Sequence, residues 1–397
     1  MTDKIRVGVI GLGQRGDGLA FRFLPKMDNV LVTAVCDVYE DRVRGTADRI
    51  EEQGLPRPFE TTDYRTLTRE HMDCAVVVTS WKAHVEVVLH CMEQGIPVAS
   101  EVGGARSVDE CWQLVEAYER TGTPYMFMEN CNYGRWELMV LNMVRQGMLG
   151  KIVHCSGRYG HDLRKEITDG AEKRHYRLEE YLTRNCENYP SHELGPIMQV
   201  LDINRTNRMV RLSSFASKSA GLHEYCLANR PEDEVLCKAR FAQGDIVTTV
   251  ITCQGGETIT LTLDTTLPRY YTRDFTVHGT KGLYTGNNNS VFLDGVHEPE
   301  KSWKENWDNG EEYAKTYEHP LWAAITDEER AAGHGGMDYL CYREFFRCVA
   351  TGAPMPIDVY DAAAMMAITP LSEQSIAAGG LSVDIPDFKR KAEVTHD

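Results

Sequence analysis

The run VGVIGLGQRGDG at residues 7–18 constrains the chain more than any other feature. An apolar run opening at Ile5 leads straight into Gly11, Gly13 and Gly16, and a helical pattern begins there. The three glycines have separate physical tasks. The first allows a tight turn, the second lets a pyrophosphate come against bare backbone, and the third lets the helix pack close to the sheet. Free N–H groups at the helix start would meet the phosphates, with Gln14 and Arg15 in the same turn as candidate contacts.

A glycine turn alone is weak, but two further features agree with it. The motif opens the chain as strand–turn–helix, and Asp37 closes the second apolar run. An acidic residue about 20 positions on accepts hydrogen bonds from ribose hydroxyls and repels a 2′-phosphate, which favours NAD over NADP. A Rossmann-like fold binding another nucleotide, or none, is the alternative.

The first third repeats this alternation. IRVGVIG (5–11), LVTAVCD (31–37), CAVVVTS (74–80), IPVASE (96–101) and PYMFME (124–129) read as buried strands. Helical stretches at 38–53, 81–94 and 107–121 lie between them, so the pattern predicts parallel βαβ units covered on both faces. After Asn130 the texture changes. A helical stretch at 133–148 precedes KIVHCSGRYG, MVRLSSFAS, EVLCKARFAQ, DIVTTVITCQ, ETITLTLDTT and DFTVHGT, all strand-like. AQGD and QGGE between them are hairpin signals. The expectation is an α/β protein: a Rossmann domain over 1–130, and over 131–397 an α/β domain with an open, mostly antiparallel sheet. The last helices can pack back on the first domain. Pro370 predicts a break within the helical stretch 359–378.

A chain of 397 residues suits two cores. No apolar stretch approaches the roughly 20 residues that cross a bilayer, and no apolar signal core opens the chain, so a cytoplasmic protein is expected. The net charge of -16 disfavours nucleic acid and anionic membranes as partners. Twelve cysteines form no CxxC pair and sit within apolar or helical runs, which predicts reduced core thiols and no zinc-like metal site.

The stretch NYPSH, 188–192, raises the question of chemistry. Pro190 suits a first helical position with Tyr189 as the cap, and residues three apart share one face of the first turn. A phenol and an imidazole then converge on one ligand. A lone histidine beside an apolar run is otherwise a structural one.

With these residues in view, the chain resembles the Gfo/Idh/MocA oxidoreductases. Typical dehydrogenases there carry Glu-Lys-Pro after the fifth strand; this chain keeps Glu101 but has Val102 in the lysine's place. EVGGA, MENCNYGR, YGHDLR, NYPSHELGP, LDINR, TTLPRYYTR and GHGGMDYL together are similar to the glycoside hydrolase family 109 branch, the NAD-dependent glycosidases first known as α-N-acetylgalactosaminidases. The resemblance implies that Ser80, Trp81, His84, Glu101 and Asn130 line the NAD site, although the branch often has Trp-x-Trp-His where this chain reads WKAH. It implies Tyr159, Arg177, Tyr189, His192 and Tyr271 around a carbohydrate.

The implied chemistry is transient oxidation at C3, loss of the acidified C2 proton with elimination of the aglycone, addition of water at C1, and return of the hydride. Ordinary glycosidases use two flanking carboxylates. Here His192 is expected as the base at the 3-hydroxyl, with Tyr189, or else Tyr133 or Tyr271, at C2, and Arg177 as an activating cation. A sugar or polyol dehydrogenase with net NADH turnover and a non-catalytic NAD or sugar sensor are the alternatives. A homo-oligomer, dimer or tetramer, is expected. Tyr270 faces away from Tyr271 if LPRYYTR is a strand. GHGGMD (333–338) reads as a glycine-rich turn, with a phosphate- or sugar-approaching loop as the alternative, and His319 sits in a loop that can reach the sugar.

Overall fold

The computed structural model describes residues 4–170, 172–299 and 307–389. The chain divides into two compact units: Met1–Tyr133 with Ile325–Ala363, and Gly134–Ala324 with Ala364–Asp397. The expected division at 130 therefore shifts by three residues, and the segment from Ile325 to Ala363 rejoins the first unit.

The first unit is built on six strands, β1 (Ile5–Ile10), β2 (Val30–Cys36), β3 (Phe59–Thr61), β4 (Cys74–Val77), β5 (Val98–Ser100) and β6 (Tyr125–Phe127). Their order is β3-β2-β1-β4-β5-β6, and every pair is parallel. Helices at Glu40–Glu52, Trp81–Glu93 and Val108–Thr121 connect the strands. Burial on both faces explains why β4 is apolar throughout, with Cys74, Ala75, Val76 and Val77 all shielded. The strand order reverses between β1 and β4, the place where sheets of this kind leave a ligand crevice at their carboxyl ends. Residues 11–16, 78–81 and 101 follow the ends of the strands around it.

The returning segment carries a helix, Met337–Thr351, that buries Leu340, Cys341, Phe345 and Phe346. The Phe127 amide donates to the Ile357 carbonyl at 3.0 Å, extending the β6 edge.

The second unit holds eight strands, β7 (Ile152–Gly160), β8 (Met209–Ala216), β9 (Ile246–Cys253), β10 (Thr258–Asp264), β11 (Thr276–Gly279), β12 (Gly282–Thr285), β13 (Ser290–Leu293) and β14 (Val383–Asp384). They run in the order β13-β12-β11-β7-β10-β9-β8-β14. β7 and β10 pair parallel; the other pairs are antiparallel. Alternation is clean: Val247, Thr249, Ile251 and Cys253 of β9 are buried while Val250 is exposed. Two helices cover the buried face. Ile368–Ala377 lies on β8, where the Ser214 amide donates to Ser375 Oγ at 2.9 Å. Ser191–Val200 lies on β7 at Gly157, where a Cβ would stand 2.7 Å from Glu193 Cβ. Any larger residue would push this helix off the strand.

Several expectations need correction. EVLCKARFAQ is not a strand: Glu234–Lys238 is a short helix. Asp233 caps it, accepting from the Leu236 amide at 2.9 Å, and Lys238 pairs with Glu234 one turn back. Local capping and an i,i+4 ion pair favour the helical turn, and Val235 is the segment's one β-branched residue. QGGE does join β9 to β10, but AQGD is not a hairpin. Gln243 there is tied to the 186–188 loop, its amide donating to the Cys186 carbonyl at 3.0 Å. β3, β12, β13 and β14 had no counterpart among the expected strands. The 359–378 helix breaks at Ala367, three residues before Pro370, because a proline in the first turn needs no amide partner behind it. All twelve cysteines are free thiols, and eleven are buried. Among the described residues, no helix is long and apolar enough to cross a membrane.

Candidate functional site

The glycine turn of the first unit has the shape its spacing implies. Gly11 sits at φ +95°, and a Cβ there would lie 2.6 Å from the Val78 backbone. A Cβ on Gly16 would stand 1.8 Å from the Gly11 carbonyl oxygen, so the helix packs on the turn only because that atom is missing. Gly13 differs: the nearest atom to its Cβ position is an Arg42 nitrogen 3.9 Å away. The open ground above Gly13 fits the approach of a diphosphate. Gly13→Ala is therefore expected to leave thermal stability unchanged and to weaken dinucleotide binding at least roughly tenfold. Gly16→Ala should instead lower the melting temperature, because backbone must move to admit the methyl. Thermal melts and fluorescence titration with NADH check both outcomes.

Asp37 is buried at the end of β2, and its carboxylate accepts from the Leu12 amide at 2.7 Å and the Tyr39 amide at 3.0 Å. It thus braces the glycine turn while keeping lone pairs for a ribose. Arg42 approaches it at 3.6 Å. Gln14 opens the helix. Arg15 is not free to reach a phosphate: its guanidinium is held by Asp338 at 2.7 Å and by Glu101 at 2.9 Å.

The remaining cofactor candidates lie beyond the carboxyl ends of β4, β5 and β6. Ser80 precedes the helix that Trp81 begins, and Trp81 is buried. His84 is buried, with Nε2 2.8 Å from Ser100 Oγ and Nδ1 3.2 Å from Thr79 Oγ1. Burial holds its pKa down to about 4, so it is a neutral strut in the wall with both nitrogens engaged. Glu101 accepts from Arg15 and from the Tyr342 hydroxyl at 3.0 Å. Asn130 donates to Asp338 at 2.7 Å. Tyr133 lies in the first unit, buried in the turn after β6, where burial raises its phenol with Cys341, Glu344 and Cys348 adding to the effect.

In the second unit, five residues from four separate segments converge. Tyr159 ends β7, Arg177 opens the short helix Arg177–Thr183, and Tyr189 and His192 flank the start of Ser191–Val200. Tyr271 follows β10. The Tyr159 and Tyr189 rings stack with centroids 4.5 Å apart, and His192 stands edge-on to both, at 5.4 and 4.9 Å. Tyr271 lies 6.5 Å from Tyr159. The Arg177 guanidinium carbon is 5.0 Å from the Tyr189 ring centre, a cation–π contact. The cap is one residue later than expected: Pro190 caps the helix and accepts from the Leu194 amide at 2.9 Å. A proline lacks the amide that either position would leave unpaired, so both registers suit it. Burial pushes the Tyr159 phenol up, and Arg177 opposes this.

Two members of this cluster had not been singled out. His161 is edge-on to Tyr271 at 5.2 Å, and its Nδ1 is 3.2 Å from the Tyr159 hydroxyl. Burial holds its imidazole below the ordinary value, so it is neutral near pH 7. Glu166 pairs with Arg177 Nε at 2.8 Å and His175 at 3.4 Å. His161 lay in YGHDLR, two positions beyond Tyr159, which was the available signal; Glu166 had none. Tyr270 is 96% exposed, and the segment is irregular rather than a strand, bridging to β7 at Thr272 with Gly160. His319 caps Pro320–Ala323, accepting from the Leu321 amide at 3.3 Å.

The chain is similar to known proteins over nearly its whole length. Residues 5–128 match the oxidoreductase family with an NAD-binding Rossmann fold, Gfo/Idh/MocA, and residues 133–395 match the glycosyl hydrolase 109 C-terminal domain. A glycosyl hydrolase family 109 protein of Parabacteroides distasonis is 38% identical, with 98% of this chain and 87% of that one aligned. An alpha-N-acetylgalactosaminidase of Tannerella forsythia is 36% identical over 97% of this chain and 86% of its own length. The fold is shared with scyllo-inositol dehydrogenase from Lactobacillus casei, solved with bound NAD(H) and scyllo-inositol, at a TM-score of 0.67 and 13% identity, covering 96% of this chain and 99% of that one. The chain is an enzyme of the Gfo/Idh/MocA type with a nicotinamide dinucleotide cofactor, and it belongs to glycosyl hydrolase family 109.

Proposed function

We propose that the protein is an NAD-dependent glycosidase that cleaves its substrate by transient oxidation at C3, elimination across C1–C2, hydration and re-reduction. The observation that carries this reading is the gathering of Tyr159, Tyr189, His192 and Tyr271 with Arg177 around one position of the second unit. When bound at the glycine turn, the dinucleotide supplies a reversible hydride acceptor. NAD is preferred to NADP because Asp37 would stand against a 2′-phosphate.

His192 takes the proton of the 3-hydroxyl as C3 becomes a ketone. Tyr189, beside the Arg177 cation, takes the C2 proton, now acidified by the neighbouring carbonyl. Tyr271 and Tyr133 are the other candidates for that role. The C1–oxygen bond breaks as the C1–C2 double bond forms, and the aglycone leaves with that electron pair. The hydrogen-bonded His161 and Tyr159 supply its proton and later take one from the incoming water. Two carboxylates of this region are engaged elsewhere: Glu166 with Arg177 and His175, and Asp162 with Arg164 at 2.7 Å. An N-acetylgalactosaminide is the first substrate to test, from the name of the Tannerella forsythia relative.

Sustained aglycone release is expected with substoichiometric NAD and no net NADH, together with solvent deuterium entering C2 of the released sugar. Stoichiometric NADH without cleavage would favour the dehydrogenase reading, since the fold is shared with inositol dehydrogenases.

A further inference from the structure

The loop GHGGMD, left above as a glycine-rich turn, contains the one non-glycine in an unusual backbone run. Gly333, His334, Gly335 and Gly336 have φ of 25°, 49°, 67° and 92°. A histidine held in the left-handed region costs free energy that a glycine there would not, so its side chain needs an explanation. His334 Nδ1 lies 2.8 Å from Asp338 Oδ2, while the side chain keeps 57% of its surface exposed. Asp338 itself is 1% exposed. It accepts from Arg15 Nη1 at 2.7 Å, Arg15 Nη2 at 3.1 Å and Asn130 at 2.7 Å. One buried carboxylate thus ties the imidazole to an arginine standing between the second and third glycines of the dinucleotide turn. All of these residues belong to the first unit.

We infer that His334 is a binding residue for the anionic dinucleotide, placed by Asp338 against the glycine turn, and that its proton sets how tightly the cofactor is held. The groups facing it are Asp338 on its own segment, Arg15 from the turn and Glu101 from the end of β5. Tyr342 also contacts Glu101. Arg15 and protonated His334 balance Asp338 and Glu101, so the cluster is neutral. Loss of the His334 proton leaves it with one net negative charge beside the phosphates. The Asp338 hydrogen bond raises the His334 pKa above its ordinary value, so the imidazole holds its proton to higher pH than an unpartnered one. Affinity should therefore fall as pH rises through that raised value. Asp338 acts as a positioning residue, since it orients His334, Arg15 and Asn130 at once.

The test is the dissociation rate of NADH from the full-length protein, followed by fluorescence at pH values between roughly 6 and 9. Wild type should release NADH about tenfold faster at the alkaline end, the scale expected for one charge at short range. His334→Asn, which tolerates the left-handed backbone, should release it quickly at every pH with no slope. Asp338→Asn should also flatten the profile, and release should be faster still because Arg15 and Asn130 lose their anchor. A wild-type rate without a pH slope, or an unchanged slope in His334→Asn, overturns the inference while leaving the cofactor assignment standing. Failure of NADH to bind at any pH overturns both.

Discussion

Tyr189→Phe and His192→Ala are each expected to lower glycoside cleavage by roughly 10²- to 10⁴-fold, the range in which a positioned acid or base contributes. Tyr189→Phe removes only an oxygen. The stack on Tyr159 at 4.5 Å and the edge contact with His192 at 4.9 Å remain, so stability should hold. The two variants should stall at different points. Without His192 the 3-hydroxyl keeps its proton, and no oxidised sugar forms in a single turnover. Without the Tyr189 phenol, oxidation proceeds but the C2 proton stays, so oxidised sugar accumulates and solvent deuterium no longer enters C2. Rapid-quench analysis of the sugar separates these cases. If both variants retain activity within about threefold of wild type, the proton transfers lie elsewhere. If Tyr271→Phe alone shows the deuterium defect, the C2 role passes to Tyr271.

A large gain in stability is expected from Glu187→Gln. Glu187 lies two residues before Tyr189, is fully buried, and reaches the Tyr189 amide only at 3.5 Å. Burial pushes its carboxyl up to about 8, from 4.5 for an unburied glutamate. Glu193, also buried, in the first turn of the helix Ser191–Val200 that follows, is pushed up by burial and by the charge of Glu187. Between about pH 4.5 and 8 the folded protein keeps a proton on Glu187 that the unfolded chain gives up. Stability is therefore greatest below that window and declines as pH rises through it. Glutamine copies the neutral carboxyl and has no proton to lose. The variant should match wild type near pH 4 and exceed it at pH 7 by on the order of 3 kcal/mol, with a flatter pH profile. Denaturant titrations at several pH values check this. Equal or lower stability of Glu187→Gln at pH 7 would show that the carboxylate is ionised and usefully paired in the fold.

The first unit was largely legible in the chain because its signals are local. A glycine needed for φ +95° at Gly11, a missing Cβ at Gly16 and apolar runs at β1, β2, β4, β5 and β6 each announce themselves within a few residues. The candidate cluster of the second unit was legible only in part. Tyr189 and His192 are neighbours on one turn, but their partners Tyr159, Arg177 and Tyr271 arrive from separate elements, and their selection rested on family resemblance. His161 was passed over although it stands two positions past Tyr159, and Glu166 because a glutamate on a short helix has no spacing that marks it.

Local steric and period rules are written residue by residue, so the order of residues carried the dinucleotide turn, the alternation of elements and the break before Pro370. Long-range placement obeys no such rule. An apolar helix face at 337–351 states that it must be covered, but many surfaces could cover it. Only the closed fold brings Asp338 to Arg15, 323 positions away, and sinks Glu187 and Glu193 out of water. The ionic state of those groups follows from burial and neighbours, and the folded chain alone supplies both.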